Sequence, residues 1–197
     1  MTWVLCDYGE VLSLPQPQPD RLALEDEAGR SGPEFWSTYC EHRPGYDRGD
    51  TAVIDYWSAV LGFRPGPRKL ARLIEVDIAG WLHLNPDTLA ATTRAAERGL
   101  NLAILSNAPL EVADAIDATT WAIAFSPRLF SSRLGAVKPE AEIYAAVLQT
   151  LDVAAREVVF FDDRPDNVAA AKRAGMIAHL FTNAAQIDGI ATSAALE

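Results

Sequence analysis

The sequence predicts an α/β fold built on a parallel sheet, and three observations predict it. Trp3-Val4-Leu5-Cys6, Leu100-Asn101-Leu102-Ala103-Ile104-Leu105 and Glu157-Val158-Val159-Phe160-Phe161 are largely apolar runs of β-formers, the pattern of strands covered on both faces. The second and third are each followed by a helix-like segment, as parallel strands require. All three halt at residues able to do chemistry: Asp7, Ser106-Asn107 and Asp162-Asp163. Open parallel sheets bind ligands beyond the carboxyl ends of their strands, so these polar endings are expected on one edge.

Asp7 is followed by Gly9, which allows a turn or a close backbone approach. Between the second and third runs lies Lys138-Pro139-Glu140, with a proline suited to the first turn of a helix. In a parallel sheet Asp7, Ser106, Lys138, Asp162 and Asp163 converge. Carboxylates repel by roughly 4 kcal/mol per pair at about 4 Å and an effective dielectric of about 20, so three of them need more positive charge than one lysine supplies. Oxygen-only ligands suit Mg²⁺ rather than zinc.

This constellation resembles the haloacid dehalogenase-like (HAD) hydrolase superfamily, whose four motifs occur here in the usual order across nearly the whole chain. By that resemblance Asp7 is the nucleophile, and Ser106 with Asn107 binds phosphate. Lys138 is the third-motif lysine, which serves catalysis and phosphate binding, and Asp162 and Asp163 form the metal pair. Ser106-Asn107, Lys138-Pro139-Glu140 followed by Ile143-Tyr144, and Phe160-Phe161-Asp162-Asp163 with Asn167 are similar to a branch of small phosphatases that includes α-glucose-1-phosphate phosphatases. The resemblance implies a Rossmann-like parallel sheet with helices on both faces and an inserted small helical cap. It also implies Mg²⁺ held by Asp7, the Gly9 carbonyl, Asp162 and Asp163. Asn167 is expected to steady its loop rather than touch substrate.

Bulk properties narrow the classes. With 197 residues and 49% apolar composition, the chain suits one well-buried domain with a small insert. No stretch approaches the ~20 apolar residues of a membrane span. The first strand begins at once, leaving no room for a signal peptide, and Cys6 and Cys40 make no disulfide framework, so a cytoplasmic protein is expected. A net charge of −10 without a Lys/Arg-rich run argues against nucleic acid. The expected partner is a small phosphorylated metabolite, and the chain is expected as a monomer or homodimer.

Along the chain, Leu14-Pro15-Gln16-Pro17-Gln18-Pro19 reads as a linker leaving the sheet. Residues 20–80 lack strand-like runs and offer helices at Asp20–Ala28, Pro33–Cys40, Thr51–Leu61 and Pro67–Trp81. In the third, Val53, Ile54, Trp57, Val60 and Leu61 share one face. These boundaries give a core of residues 1–13 and 84–197 and a cap of 14–83. Most of the cap's aromatic residues suit its own small core; Trp36, Tyr39 and Tyr46, which flank Glu41-His42-Arg43 and Arg48, are candidates to face substrate, with His42 and Arg43 in reach of its distal groups. Asn85 caps a helix from Pro86 to Arg98 that stops at Gly99. A helix from Pro109 to Ile116, a short strand at Trp121–Phe125, helices at Pro139–Leu151 and Pro165–Ala174, a strand at Ile177–Phe181 and a closing helix after Asn183 complete the reading.

The chemistry implied is phosphoryl transfer through an aspartyl phosphate on Asp7. Gly9 departs from the pattern, because many HAD phosphatases carry there a second aspartate that protonates the leaving oxygen, a role commonly worth 10²–10⁴-fold. A leaving group that departs readily, an acid from the cap or Glu10, or an impaired enzyme would each account for it. In extended geometry Glu10 would point away from Asp7. A haloacid dehalogenase and a non-catalytic binding module on a phosphatase scaffold are the alternatives.

Overall fold

A computed structural model describes residues 2–194. Five strands form one parallel sheet in the order β3-β2-β1-β4-β5: β1 (Trp3–Cys6), β2 (Asn101–Ser106), β3 (Arg128–Phe130), β4 (Val158–Asp162) and β5 (Ile177–Leu180). β1 is central, with Trp3 beside Asn101 and Val158 and Cys6 beside Ile104 and Phe161. Both faces are covered, which is why the strands read as continuous apolar runs. Val4, Cys6, Leu102, Ile104, Val159 and Phe161 pack against α6 (Pro86–Glu97), α7 (Leu110–Asp117) and Ile187 of α11 (Ala185–Ala194). Leu5, Ala103, Leu105 and Phe160 pack against α9 (Ala141–Leu151) and α10 (Pro165–Arg173).

Between β1 and α6 the chain builds five helices, α1 (Gln18–Ala28), α2 (Gly32–Glu41), α3 (Arg43–Arg48), α4 (Val53–Leu61) and α5 (Pro67–Trp81). They share a separate core of Leu24, Phe35, Tyr39, Tyr46, Tyr56, Trp57, Val60, Leu61 and Leu73. The two connections to the sheet run side by side. Leu14 N–H donates to the His83 carbonyl at 2.7 Å and Asn85 N–H to the Leu12 carbonyl at 2.9 Å.

Several elements differ from the sequence reading. The edge strand is Arg128–Phe130, while Trp121–Ala124 is a turn of 3₁₀-helix. A three-residue strand carries no period, and its arginine masks it by satisfying the Ala122 and Phe125 carbonyls at 3.1 and 2.8 Å. α3 was absent from the reading because Pro44 and Gly45 fall inside six residues; proline is tolerated there in the first turn. Pro139 stays outside α9, which starts at Ala141 after Glu140. The linker is extended only to Pro17, and α4 starts at Val53 rather than Thr51. The closing helix is α11; its expected continuation through residues 195–197 lies outside the described residues. No described helix is long and apolar enough to cross a membrane.

Candidate active site

β1 delivers Asp7 to the carboxyl edge of the sheet, where its N–H still pairs with the Phe161 carbonyl at 2.9 Å. The next residues form a wide turn closed by Ser13 N–H on the Tyr8 carbonyl at 2.8 Å, and Tyr8 N–H donates to Asp7 Oδ1 at 2.6 Å. β4 ends in Asp162, which is fully buried. Its Oδ1 accepts from Arg164 N–H and from the Asn167 amide, each at 2.9 Å. Asn167 therefore steadies the loop, as expected.

Lys138 joins the two acids. Its ammonium lies 2.8 Å from Asp7 Oδ1 and 2.7 Å from Asp162 Oδ2, and donates to the Leu105 carbonyl at 3.1 Å. The side chain is 1% exposed, so this is a buried ion triad. Asn107 holds the lysine's backbone from both sides: Lys138 N–H donates to Asn107 Oδ1 at 2.8 Å, and the Asn107 amide donates to the Lys138 carbonyl at 2.9 Å. One amide N–H of Asn107 is thereby engaged within the protein, and Asn107 also lines the cavity described below. Ser106, buried at the end of β2, lines the same cavity.

Oxygens of Asp7, Asp162 and Asp163 lie within 4.8 Å of one another. Three carboxylates against one ammonium leave a formal charge of −2. Burial pushes the Asp7 carboxyl up to about 7, Lys138 pulling it down and Asp162 reinforcing the rise. Asp163 is also raised, first by burial and then by the charges of Asp162 and Glu10. Burial favours loss of the Lys138 proton, but Asp7 and Asp162 outweigh it and hold the ammonium above its usual range. A divalent cation with oxygen preference fits this donor set and its charge.

Asp7, Lys138 and Asp163 line a cavity of about 650 Å³, with Asp162 buried behind it. Glu10 lines it too, against the expectation from extended geometry. The chain leaves the strand at Asp7, and Glu10 adopts a left-handed φ of 56°, which removes the alternation that the expectation needed. Gly9 lies beneath Trp81; a Cβ there would meet the indole at 4.0 Å. From the helical segment Tyr39, Arg43, Asp47, Arg48 and Trp81 face the cavity, whereas Trp36 lines a separate surface cavity and His42 lines neither. Tyr46 is buried, its hydroxyl on Glu111 at 2.8 Å. The sequence reading missed Tyr8, Asp47 and Trp81 here. The four-residue spacing of Tyr39, Arg43 and Asp47, and an acid at position 77 within the helix ending at Trp81, were the available signals.

A family model described as haloacid dehalogenase-like hydrolase matches residues 22–175. The chain belongs to that family. A Mycobacterium tuberculosis phosphatase is 30% identical over 128 residues, covering 64% of this chain and 59% of the relative, so the chain spans about three fifths of that relative's length. A HAD-like hydrolase structure from Porphyromonas gingivalis superposes with a TM-score of 0.77 at 16% identity, over 100% of this chain and 98% of that one. A Bacteroides thetaiotaomicron HAD enzyme in complex with magnesium and inorganic phosphate gives 0.75 at 15%, over 93% and 95%. The L-2-haloacid dehalogenase of Xanthobacter autotrophicus gives 0.68 at 22%, over 90% and 76%. At these identities the three structures are evidence for the fold alone.

Proposed function

We propose that the protein is a Mg²⁺-dependent phosphate monoester hydrolase acting on a small phosphorylated metabolite or sugar phosphate through an aspartyl phosphate on Asp7. The observation that carries this is Lys138 set 2.8 Å from Asp7 and 2.7 Å from Asp162 within an acidic trio that remains doubly negative. Residues 1–13 and 84–197 would act as the core, with 14–83 as a cap over the cavity.

Asp7, Asp162, Asp163 and the Gly9 carbonyl would hold the cation. When bound, it offsets negative charge on the phosphoryl oxygens and lowers the repulsion that an incoming dianion meets at Asp7. Asp7 would attack phosphorus in line, with Lys138 fixing its orientation and setting its positive charge beside the phosphoryl group. The Ser106 hydroxyl would hold another. The fixed Lys138–Asn107 clasp keeps the ammonium in place as charge shifts onto the leaving oxygen. Water then cleaves the acyl phosphate, releasing inorganic phosphate and regenerating the Asp7 carboxylate.

Phosphate release from an aryl phosphate and a panel of metabolite phosphates, with Mg²⁺ or EDTA, tests the reading on wild type and Asp7→Asn. Mg²⁺-dependent release that the substitution abolishes supports it. Halide release from 2-haloacids without metal would favour a dehalogenase instead. Because Gly9 supplies no acid, a binding module is the remaining reading; retained Mg²⁺ or phosphate-ester binding with no turnover of any ester would favour it.

A further inference from the structure

The cavity wall contributed by the helical segment contains a carboxylate that shares its one cation with a second acid. Arg43 is nearly enclosed, its side chain 13% exposed, and its guanidinium lies 5.4–6.0 Å from the ring centres of Tyr39, Tyr46, Tyr56 and Trp81. Two carboxylates face it: Asp47 Oδ1 at 3.0 Å from Nε, and Asp77 Oδ2 at 3.5 Å. One cation therefore serves two acids.

The acids differ in what surrounds them. Asp77 stands behind the wall, buried, and accepts from the Tyr39 hydroxyl at 2.6 Å. Asp47 belongs to the wall itself, in the cavity that also contains Asp7, Gly9 and Trp81. Its Oδ1 is enclosed and lies 3.0 Å from Arg43 Nε, so the charge that offsets it is the same guanidinium that Asp77 shares. α3 cannot swing freely to relieve this, because the Ser131 hydroxyl donates to the Asp47 carbonyl and Arg48 engages Glu140. A carboxylate that shares its one guanidinium with a second acid keeps excess negative charge, and a ligand hydroxyl or ammonium that reaches it from the cavity makes a charge-assisted hydrogen bond.

We propose that Asp47 is a specificity-determining residue: its carboxylate accepts a hydrogen bond from a hydroxyl or ammonium group on the organic part of the substrate. This rests on the phosphate-ester reading above.

The test uses full-length Asp7→Asn, which is expected to bind esters without consuming them, in Mg²⁺ buffer, with calorimetric Kd values for three esters of similar size. Propyl phosphate has no donor, glycerol 1-phosphate has hydroxyls and ethanolamine phosphate has an ammonium. The donor-bearing esters are expected to bind at least tenfold more tightly than propyl phosphate, and whichever of them leads identifies the donor. Adding Asp47→Asn should shrink that preference to threefold or less, while adding Asp77→Asn should leave it above tenfold. Equal binding of all three esters to Asp7→Asn overturns the proposal even if the double variant does not fold. So does a preference that survives Asp47→Asn, one that Asp77→Asn removes equally, or failure of all three to bind. Failure of the phosphatase reading is registered separately, as absence of phosphate release from wild type.

Discussion

Lys138 is outnumbered at the sheet edge, and that imbalance has measurable consequences. Burial raises Asp7 to about 7 from an ordinary 3.8, so without metal its ionisation opposes folding. Below about pH 4 the carboxyl is protonated in both the folded and the unfolded chain, and the effect vanishes. As pH rises toward 7 only the unfolded chain ionises freely, and the penalty grows and then stays. Asp7→Asn should therefore lack turnover yet be more stable than wild type in EDTA at pH 8, by roughly 1–4 kcal/mol, with the difference disappearing by about pH 4. Urea denaturation at both pH values measures it. Lys138→Met should do the opposite: it strands buried carboxylates, and loss of one partner of a buried ion pair destabilises by about 3–5 kcal/mol. Denaturation in EDTA should show that loss, with MgCl₂ recovering part of it.

The elements around the site are held by local devices that can be removed singly. Asn85 Oδ1 accepts from Asp87 and Thr88 N–H at 3.2 and 3.3 Å, capping α6. Asn85→Ala should lower stability by about 1 kcal/mol and Tm by about 2–4 °C without changing kcat, since α6 does not reach the cavity. Gly49 ends α3 at φ +88°, and a Cβ there would meet the Ser132 carbonyl oxygen at 2.7 Å. Gly49→Ala should lower stability by about 2 kcal/mol or more through strain and clash together. Because it also pushes α3 off the sheet-bearing part, KM should rise; an unchanged KM would mean that α3 does not position the wall. The sequence made the sheet legible because strands covered on both faces show as unbroken apolar runs, and the polar residue ending each run marked Asp7, Ser106 and Asp162. It concealed α3, where proline and glycine obscure a helix held by Tyr46 on Glu111 and Arg48 on Glu140. It also concealed Asp47 and Trp81, which tertiary packing alone brings to the cavity that Gly9 lines. Glu10 was misplaced because a strand's alternation was carried one turn beyond the strand.

At the scale of the molecule, a chain of net charge −10 concentrates acid at the site where the proposed reaction binds a phosphate dianion. Surface charges beyond roughly 8 Å are screened at physiological salt, whereas buried Asp7, Asp162 and Lys138 are screened much less. Binding of Mg²⁺ and of phosphate ester is therefore expected to be mutually reinforcing: the apparent Kd for inorganic phosphate should fall at least tenfold when MgCl₂ replaces EDTA, and much less in Asp162→Asn. The central claim, a phosphoryl group carried on Asp7, is tested most directly by acid-quenching the enzyme during turnover of an aryl phosphate and mapping phosphorylated peptides by mass spectrometry. The expected result is one labile phosphoryl adduct on the peptide containing Asp7, formed with Mg²⁺ and absent with EDTA. Steady phosphate release with no adduct there, or undiminished release by Asp7→Asn, would contradict it.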